Sequence, residues 1–414
     1  MRDSILRRSA AVLLPLVLAA SAAGAQGQVY RSSAHDYRVV KVVDGLVNPW
    51  GMAFLPNGDL LVTERGGRLR IVRGGALVAT PVAGVPAVVA AGQGGLLDVA
   101  LHPQFATNRL VYLTYSKQMP GGSTTALHLA RFENDALVGG KDIFIAESKG
   151  RPGHFGSRIT FDKSGHLFIS VGDRQIAPEG DLTKHPAQDL SNHHGKIIRL
   201  DLDGSVPTDN PFARQAGAKP EIWSYGHRNP QGLLVHPVTG DLWEVEHGPQ
   251  GGDELNLVEP GKNSGWPVVG FGVNYGPGKA IHASTMAPGM ENAKHVWVPS
   301  IATSGLLVYT GSKFPEWKGS VFVGGLAGMR VARLTLDGQK AELADNLVKG
   351  MGRIRDVRQG PDGFIYLAVD DAQGKPTPVV RLEPVARKYC VSGEGVAAAV
   401  RCCASRRGAF LLRG

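Results

Sequence analysis

The chain has 414 residues, and its 43% hydrophobic content excludes a disordered protein. Its 55 glycines argue against a helical bundle, because each internal glycine costs a helix about 1 kcal/mol. The net charge of +9 lies mostly at the ends, since residues 1–25 carry +2 and residues 385–414 carry +5. The remaining +2 on residues 26–384 is too small for the basic footprint of a nucleic-acid-binding protein.

The first predicted element is a secretory leader over residues 1–25. It combines a basic start with an apolar stretch over residues 10–20 and small residues before Gln26. An uncleaved membrane anchor is the alternative, but this apolar run is interrupted by Pro15 and is shorter than the ~20 residues that a membrane span needs. We therefore expect an exported protein without a membrane span, and the pair Arg7-Arg8 leaves open the Sec and twin-arginine routes.

After the leader, one sequence pattern occurs six times. Each copy has a short alternating apolar run, a turn rich in Pro, Asp, Asn or Gly, and a second alternating run. Alternation at period two predicts strands with one buried face, and turns such as Pro56-Asn57-Gly58 supply the positive φ angles of tight hairpins. The six segments are predicted to be β-hairpins: residues 51–65, 98–116, 157–174, 231–248, 304–326 and 355–371.

The spacing of these hairpins predicts the fold. Equivalent anchor positions lie 47, 60, 74, 73 and 49 residues apart: Phe54, Leu101, Phe161, Val235, Val308 and Val357. A four-stranded propeller blade needs ~40–50 residues, and longer intervals accommodate insertions. We therefore predict an all-β, six-bladed β-propeller over residues 26–384, with the active site in loops over the central channel. A β-sandwich is the alternative, but sandwiches seldom repeat one hairpin template six times.

The loops between the hairpins contain the polar residues that such a site requires. Gln93 lies among glycines, and His154 lies in a Gly-His-Phe-Gly segment, where it is either a base or an ordinary loop histidine. Arg353 and Arg355 alternate on a predicted strand, so that both side chains point to one face. Two guanidiniums there repel each other unless Asp356 or another acid neutralises them, or unless they bind a polyanionic ligand.

Other motifs give weaker evidence for a functional site. Asp201-Leu202-Asp203-Gly204 lacks the terminal acid of an EF-hand and is predicted to be a turn, and the pair His193-His194 stays unassigned. All three cysteines, Cys390, Cys402 and Cys403, lie in residues 385–414, which we predict to be a poorly ordered extension. A metal site there is the alternative, but no histidine or paired Cys-x-x-Cys motif supports it.

Several loop motifs together resemble the soluble PQQ-dependent aldose and glucose dehydrogenases. They are GQGGLLDVALHPQF (92–105), GHRNPQG (226–232), GPQGGDELN (248–256), GWP (265–267) and GRIRDVRQGPDG (352–363). The resemblance extends from about Tyr37 to Pro384. It implies a periplasmic six-bladed propeller that oxidises the C1 hydroxyl of aldoses to lactones by hydride transfer to pyrroloquinoline quinone (PQQ).

The resemblance also implies roles for individual residues. His154 matches the general base, Gln93 a residue that contacts substrate or quinone, and Arg228 a residue near the quinone oxygens. The positions that match cofactor contacts are Arg228, Asn229, Tyr275, Ser300, Leu326, Ala327, Gly328, Arg353, Ile354 and Arg355.

Calcium is the second cofactor that the resemblance implies. Gly248 and Pro249 match residues whose backbone carbonyls hold the ion that polarises the quinone. Glu254 and Ser264 match a structural calcium pair, although Ser264 replaces a tyrosine that is common at its position. Oxygen ligands of this kind suit Ca²⁺.

Two departures from the glucose-specific pattern are visible. Gly153 stands where that branch has an acid able to orient the base, and Ala327 stands where it has a lysine near the cofactor. The chain therefore resembles the broader aldose branch. We expect an aldose substrate, an unidentified electron acceptor and a monomer or homodimer. A calcium-dependent propeller hydrolase, such as a lactonase, and a non-catalytic sugar- or protein-binding propeller are the alternatives.

Overall fold

The structure is a computed structural model that describes residues 28–276 and 278–386. Within that part of the chain, 25 β-strands form six antiparallel sheets, and the first strand of each blade packs beside the first strand of the next. The predicted six-bladed β-propeller is therefore confirmed. The predicted leader and the three cysteines lie outside the described residues, as does the tail beyond residue 386.

The strands are numbered in chain order. Two strands precede the first blade: β1 (Val29–Arg31) and β2 (Asp36–Val47). The first blade contains β3 (Pro49–Phe54), β4 (Leu60–Glu64), β5 (Arg68–Arg73) and β6 (Ala76–Leu77). The second contains β7 (Leu96–Leu101), β8 (Leu110–Met119), β9 (Gly122–Glu133) and β10 (Ala136–Ile145). The third contains β11 (Ile159–Phe161), β12 (His166–Val171), β13 (Lys196–Asp201) and β14 (Ile222–Tyr225).

The remaining blades follow the same plan. The fourth contains β15 (Pro230–Val235), β16 (Leu242–Glu246), β17 (Asp253–Val258) and β18 (His295–Trp297). The fifth contains β19 (Thr303–Val308), β20 (Val321–Gly325), β21 (Arg330–Asp337) and β22 (Lys340–Leu347). The sixth contains β23 (Arg353–Gln359), β24 (Ile365–Asp370) and β25 (Pro376–Val385).

Helical structure is sparse. The described residues contain α1 (Phe105–Asn108) and three 3₁₀ turns: Leu182–Lys184, Pro186–Gln188 and Pro315–Trp317. Of the helices described, none is long and apolar enough to pass through a membrane.

All six predicted hairpins are confirmed, because each supplies the first two strands of one blade. The loop before each hairpin and the segment after it lie together at one end of the blade, since the two strands are antiparallel. Residues on both sides of a hairpin therefore meet on the same face of the ring, where the candidate site lies.

The N-terminal strand closes the ring. β2 pairs with β25, from Asp36 opposite Val385 to Val47 opposite Pro376, and thereby completes the sixth sheet. Closure leaves no gap between the last and first blades, so the body is held together without disulfides in the described residues. The core consists of apolar clusters between neighbouring blades, and Leu46 of β2 is fully buried in the cluster between the sixth blade and the first.

Charged residues fill the channel beneath the site. The buried guanidinium of Arg158 contacts Asp98 at 3.2 Å and Asp356 at 3.1 Å and stacks 4.1 Å from the centre of the Trp50 ring. Arg358 contacts the same two carboxylates. These opposite charges neutralise one another beside Trp50.

Candidate active site

A cavity of about 290 Å³ lies above Trp50, and we call it the arginine cavity. Three guanidiniums and one carboxylate line it: Arg65, Arg353, Arg355 and Asp370. Its other lining side chains include Trp50, Gln93, His247 and Leu326.

A second cavity of about 350 Å³ lies beside the first, and we call it the imidazole cavity. It is lined by His154, Asp173, Arg228 and Trp266, among others. Gln93 and His247 line both cavities and form the wall between them. A molecule in one cavity would therefore lie next to a molecule in the other.

The base candidate His154 is held by Asp173. His154 Nδ1 lies 2.6 Å from one Asp173 carboxylate oxygen, and Trp266 Nε1 donates to the other at 2.8 Å. His154 precedes β11 and Asp173 follows β12, so the β11–β12 hairpin brings the two together. With Nδ1 committed to the carboxylate, Nε2 is the ring nitrogen that remains to act in the cavity.

The electrostatics of this pair favour a neutral imidazole. Burial lowers the pKa of His154 below its ordinary value, Arg228 lowers it further, and Asp173 opposes both effects. Burial acts to raise the pKa of Asp173, but His154 and Arg228 outweigh it and the net shift is downward. His154 can therefore accept a proton at neutral pH while Asp173 stays ionised.

A glycine-rich loop positions Gln93 against His154. Gly92 has φ +58°, and a Cβ there would lie 2.1 Å from the Pro152 carbonyl oxygen, so only glycine fits this approach. Gln93 donates its backbone N–H to the same carbonyl at 2.8 Å, and its side-chain oxygen accepts the His154 backbone N–H at 2.8 Å. His154 itself has φ +48°, an uncommon conformation for a residue with a side chain, and this contact helps to hold it.

Arg228 and Asn229 lie at the start of the fourth blade. Arg228 donates to the Gly248 backbone oxygen at 2.6 Å, and its guanidinium lies 5.2 Å from the Trp266 ring centre. The Asn229 side-chain oxygen accepts the Gly156 N–H at 3.2 Å. Arg228 thus faces the imidazole cavity, whereas Asn229 braces the loop that follows His154.

Arg353 and Arg355 reach the same side of their strand, as predicted, and share one carboxylate. Each lies 3.6 Å from the same oxygen of Asp370, whose other oxygen accepts from Asn48 at 3.0 Å. The acid between them is therefore Asp370 and not Asp356, which pairs with arginines in the channel. Burial lowers the pKa of Arg355 to about 10, and the charge of Arg353 contributes in the same direction, against Asp370.

The four predicted calcium ligands meet around one small cavity of about 20 Å³, which we call the acidic cavity. The residues lining it include Gly248, Pro249, Glu254 and Ser264. A space of this size holds about one ion or water molecule.

Further acids lie beside the acidic cavity. Potential ligand atoms of His227, Glu244 and Glu246 lie within 4.8 Å of one another, and Asn256 donates to Glu244 at 2.8 Å and Glu254 at 3.1 Å. Burial and Glu246 raise the pKa of Glu244 to about 7 and that of Glu254 well above its ordinary value. Glu244 Oε2 and His227 Nδ1 are buried without a hydrogen-bond partner in the described structure. The carboxylate oxygens of Glu244, Glu246 and Glu254 fit a divalent cation. Burial lowers the pKa of His227, but Glu244 and Glu246 outweigh it and raise that pKa to about 9, so an imidazolium neutralises part of this charge and a cation would neutralise more.

The remaining predicted positions are dispersed. Tyr275 lines the imidazole cavity and is 67% exposed, and Leu326 lines the arginine cavity. Ser300 donates to Asp253 at 2.7 Å, and the Ile354 side chain is buried in the core between the fifth and sixth blades. Ala327 and Gly328 are among the residues that line none of the three cavities.

Several functional candidates were not predicted from the sequence. Asp173, Arg65 and Asp370 line the cavities, and Glu244 and Glu246 lie at the acidic cavity, but none was singled out for a role. The predicted hairpins already contained a signal for two of them. A hairpin with ends near 154 and 173 implies that these residues meet, and a hairpin over 355–371 places Asp370 opposite the arginine pair.

Comparisons with known proteins identify related dehydrogenases. A family model described as Glucose / Sorbosone dehydrogenase matches residues 46–381. Aldose sugar dehydrogenase YliI of Escherichia coli strain K12 is 40% identical over 377 residues, which cover 89% of this chain and 98% of that protein.

Two solved structures are similar over most of this chain. The apo-form of the soluble aldose sugar dehydrogenase (Asd) from E. coli matches with a TM-score of 0.79 and 40% identity, covering 84% of this chain and all of that one. The PQQ-bound form of aldose sugar dehydrogenase (Adh) from Streptomyces coelicolor matches with a TM-score of 0.69 and 28% identity, covering 86% of this chain and all of that one.

Proposed function

Because this chain belongs to the glucose/sorbosone dehydrogenase family, we propose that it is a PQQ-dependent dehydrogenase that oxidises the C1 hydroxyl of aldose sugars to lactones. The observation that carries this proposal is the pair of adjoining cavities. One holds a buried histidine–carboxylate pair and the other is lined by guanidiniums, with Gln93 and His247 between them. We assign the sugar to the imidazole cavity and the cofactor to the arginine cavity.

The arginine cavity fits PQQ by charge. PQQ carries three carboxylates, and charge-assisted hydrogen bonds from guanidinium to carboxylate are among the stronger polar contacts in proteins. Arg353 and Arg355 supply such donors, and Asp370 neutralises only part of their charge. When bound, PQQ supplies the electrophilic carbonyl carbon that accepts the hydride.

The chain's own residues then handle the proton and the orientation of the sugar. His154 Nε2 removes the proton from the C1 hydroxyl, which lets the C1 hydrogen leave as hydride. Asp173 keeps Nδ1 protonated and stabilises the imidazolium that forms. Arg228, whose guanidinium reaches the imidazole cavity, stabilises negative charge that develops near the junction of the cavities.

We also propose that the acidic cavity holds calcium. Glu254 and Ser264 would supply oxygen ligands for a structural ion, which would also neutralise the nearby charge of Glu244 and Glu246. The Gly248 and Pro249 carbonyls would hold the ion that acts as a Lewis acid towards the cofactor.

The location and domain limits remain proposals. Residues 1–25 would direct export to the periplasm, residues 26–384 would form the catalytic propeller, and residues 385–414 would follow it.

The proposal is tested by dye reduction. The purified protein is loaded with PQQ and Ca²⁺ and supplied with glucose, galactose or xylose. We expect sugar-dependent reduction of an artificial electron-accepting dye. A lactonase-like hydrolase or a non-catalytic binder would reduce no dye, and that result would reject the dehydrogenase assignment.

A matched variant tests the base. His154→Ala should lower turnover by at least ~10²-fold, because the variant lacks the group that accepts the C1 hydroxyl proton. PQQ affinity, measured by equilibrium titration, should stay close to that of the unmodified protein because His154 does not line the arginine cavity. Turnover near normal would remove His154 from the mechanism.

A further inference from the structure

Arg65 is a third guanidinium in the arginine cavity. It follows β4 at the end of the first predicted hairpin, and its Nη1 donates to the Gly92 backbone oxygen at 2.7 Å. The neighbouring carboxylate Glu64 is engaged elsewhere, with Arg68 at 2.6 Å and Arg70 at 3.3 Å. Among the described residues, Arg65 forms no ion pair with a carboxylate.

The charges that line this cavity do not cancel. Asp370 is the one carboxylate among the described lining residues, and it faces three guanidiniums. It lies 3.6 Å from both Arg353 and Arg355, which is longer than a direct hydrogen bond. A net charge of about +2 is therefore confined to about 290 Å³, partly shielded from water.

The neighbouring charges also act on Arg355, after the larger effect of its burial. Burial lowers its pKa to about 10, and the charges of Arg353, Arg158 and Arg65 contribute in the same direction, with Asp370 opposing them. A ligand that brings more than one carboxylate into the cavity would relieve the repulsion. Ala327 has no charged side chain. Among the described residues that line the cavity, Arg65 is the cation that extends the positive charge towards the loop that carries Gln93.

We propose that Arg65 is a further cofactor-binding residue, whose guanidinium pairs with a PQQ carboxylate while Nη1 stays on the Gly92 carbonyl. The inference rests on the proposed function. It adds a third binding cation to Arg353 and Arg355 and links cofactor binding to the loop that carries Gln93. Arg65 takes no part in proton transfer.

The test is equilibrium titration of the cofactor-free full-length protein with PQQ in Ca²⁺, followed by quenching of tryptophan fluorescence. Trp50 lines the same cavity and supplies the signal. Arg65→Gln should weaken PQQ binding about 10- to 100-fold, the range expected for loss of one charge-assisted hydrogen bond. Arg65→Lys should restore most of the affinity. Arg68→Gln is the matched control, since Arg68 lies near Arg65 but does not line the cavity. The PQQ affinity of this variant should equal that of the unmodified protein.

Ionic strength separates charge pairing from packing. If Arg65 pairs with a carboxylate, the affinity of Arg65→Gln should fall less steeply with added salt than that of the unmodified protein.

The outcomes are distinguishable. Unaltered affinity in Arg65→Gln overturns the inference and leaves the proposed function intact. Equal losses in Arg65→Gln and Arg65→Lys, with an unchanged salt dependence, also overturn it in favour of a packing role. If the unmodified protein itself takes up no PQQ, that result rejects the proposed function, whatever the Arg65 variants show.

Discussion

At the scale of single residues, the His154–Asp173 pair determines the expected pH response. Burial lowers the pKa of His154, so the base stays neutral at pH 7 and becomes protonated only at acid pH. We expect kcat/KM of the loaded enzyme to be constant near neutrality and to fall as the pH drops through that lowered pKa, below the ordinary ~6.5. A pH–rate profile with a saturating dye measures this acid limb.

Replacing Asp173 separates its two effects on His154. Asp173→Asn removes a charge that raises the His154 pKa, so the acid limb should move to lower pH. The carboxylate that fixes the tautomer is also lost, so kcat should fall by about 10²- to 10⁴-fold. Both quantities come from the pH–rate profile of the PQQ-loaded variant.

The same hairpin provides the control. Asp162 lies 2.9 Å from His166 at the opposite end of the β11–β12 hairpin, away from both cavities of the proposed reaction. Asp162→Asn should leave the profile unaltered. A kcat for Asp173→Asn close to normal would show that the carboxylate does not position the base.

The sequence allowed individual site residues to be predicted, but not which side chains contact one another. His154, Gln93 and Arg228 were recognisable in loop motifs, and all line the imidazole cavity. Asp173 was not recognised because it is an unremarkable acid until the hairpin that joins it to His154 is folded. Arg65 was missed for a related reason, since its cavity is built from loops of different blades.

At the scale of secondary-structure elements, β2 contributes to the stability of the ring by closing it. Leu46 is fully buried in the cluster between the sixth blade and the first. Leu46→Ala should lower the free energy of unfolding by about 2–5 kcal/mol, because it removes apolar contacts and leaves a cavity. Urea denaturation measures the change.

An exposed leucine calibrates this measurement. Leu343 lies on β22 and is 42% exposed, so Leu343→Ala should change the stability by no more than about 0.5 kcal/mol. Equal effects of the two substitutions would contradict the role assigned to the closing strand.

The hairpins were predictable and the ring closure was not. Alternation and turn residues are local signals, and they located the first two strands of every blade. The pairing of Asp36 with Val385 joins segments almost a whole chain apart, and no local pattern in either strand names its partner. The four-stranded blades were predicted, but the outer two strands of each were not located, since their register depends on neighbouring strands within the blade.

At the scale of the whole molecule, the acidic cavity should make stability depend on calcium. A cation bound only by the folded protein raises the melting temperature by mass action, and here it would also neutralise adjacent buried carboxylates. Adding Ca²⁺ to chelator-treated protein should raise the Tm, and Glu254→Gln should reduce that rise. Differential scanning calorimetry measures both.

A surface acid tests whether the effect is local. Glu259 lies in the exposed turn after β17, so Glu259→Gln should keep the full calcium response. A Tm that is insensitive to calcium in the unmodified protein would argue against an ion in this cavity.

The ring closure also governs how the protein can be attached to other objects. Asn48, directly after β2, lines the arginine cavity, whereas Asp36 and Val385 pair at the opposite end of the sixth blade. Eleven steps of extended strand separate these ends, roughly 35 Å. An electrode tether or a fused haem domain joined next to Val385 would start at the opposite end of the blade from the arginine cavity. Delivering electrons to it would require either a linker long enough to pass around the rim or attachment through a loop on the cavity face.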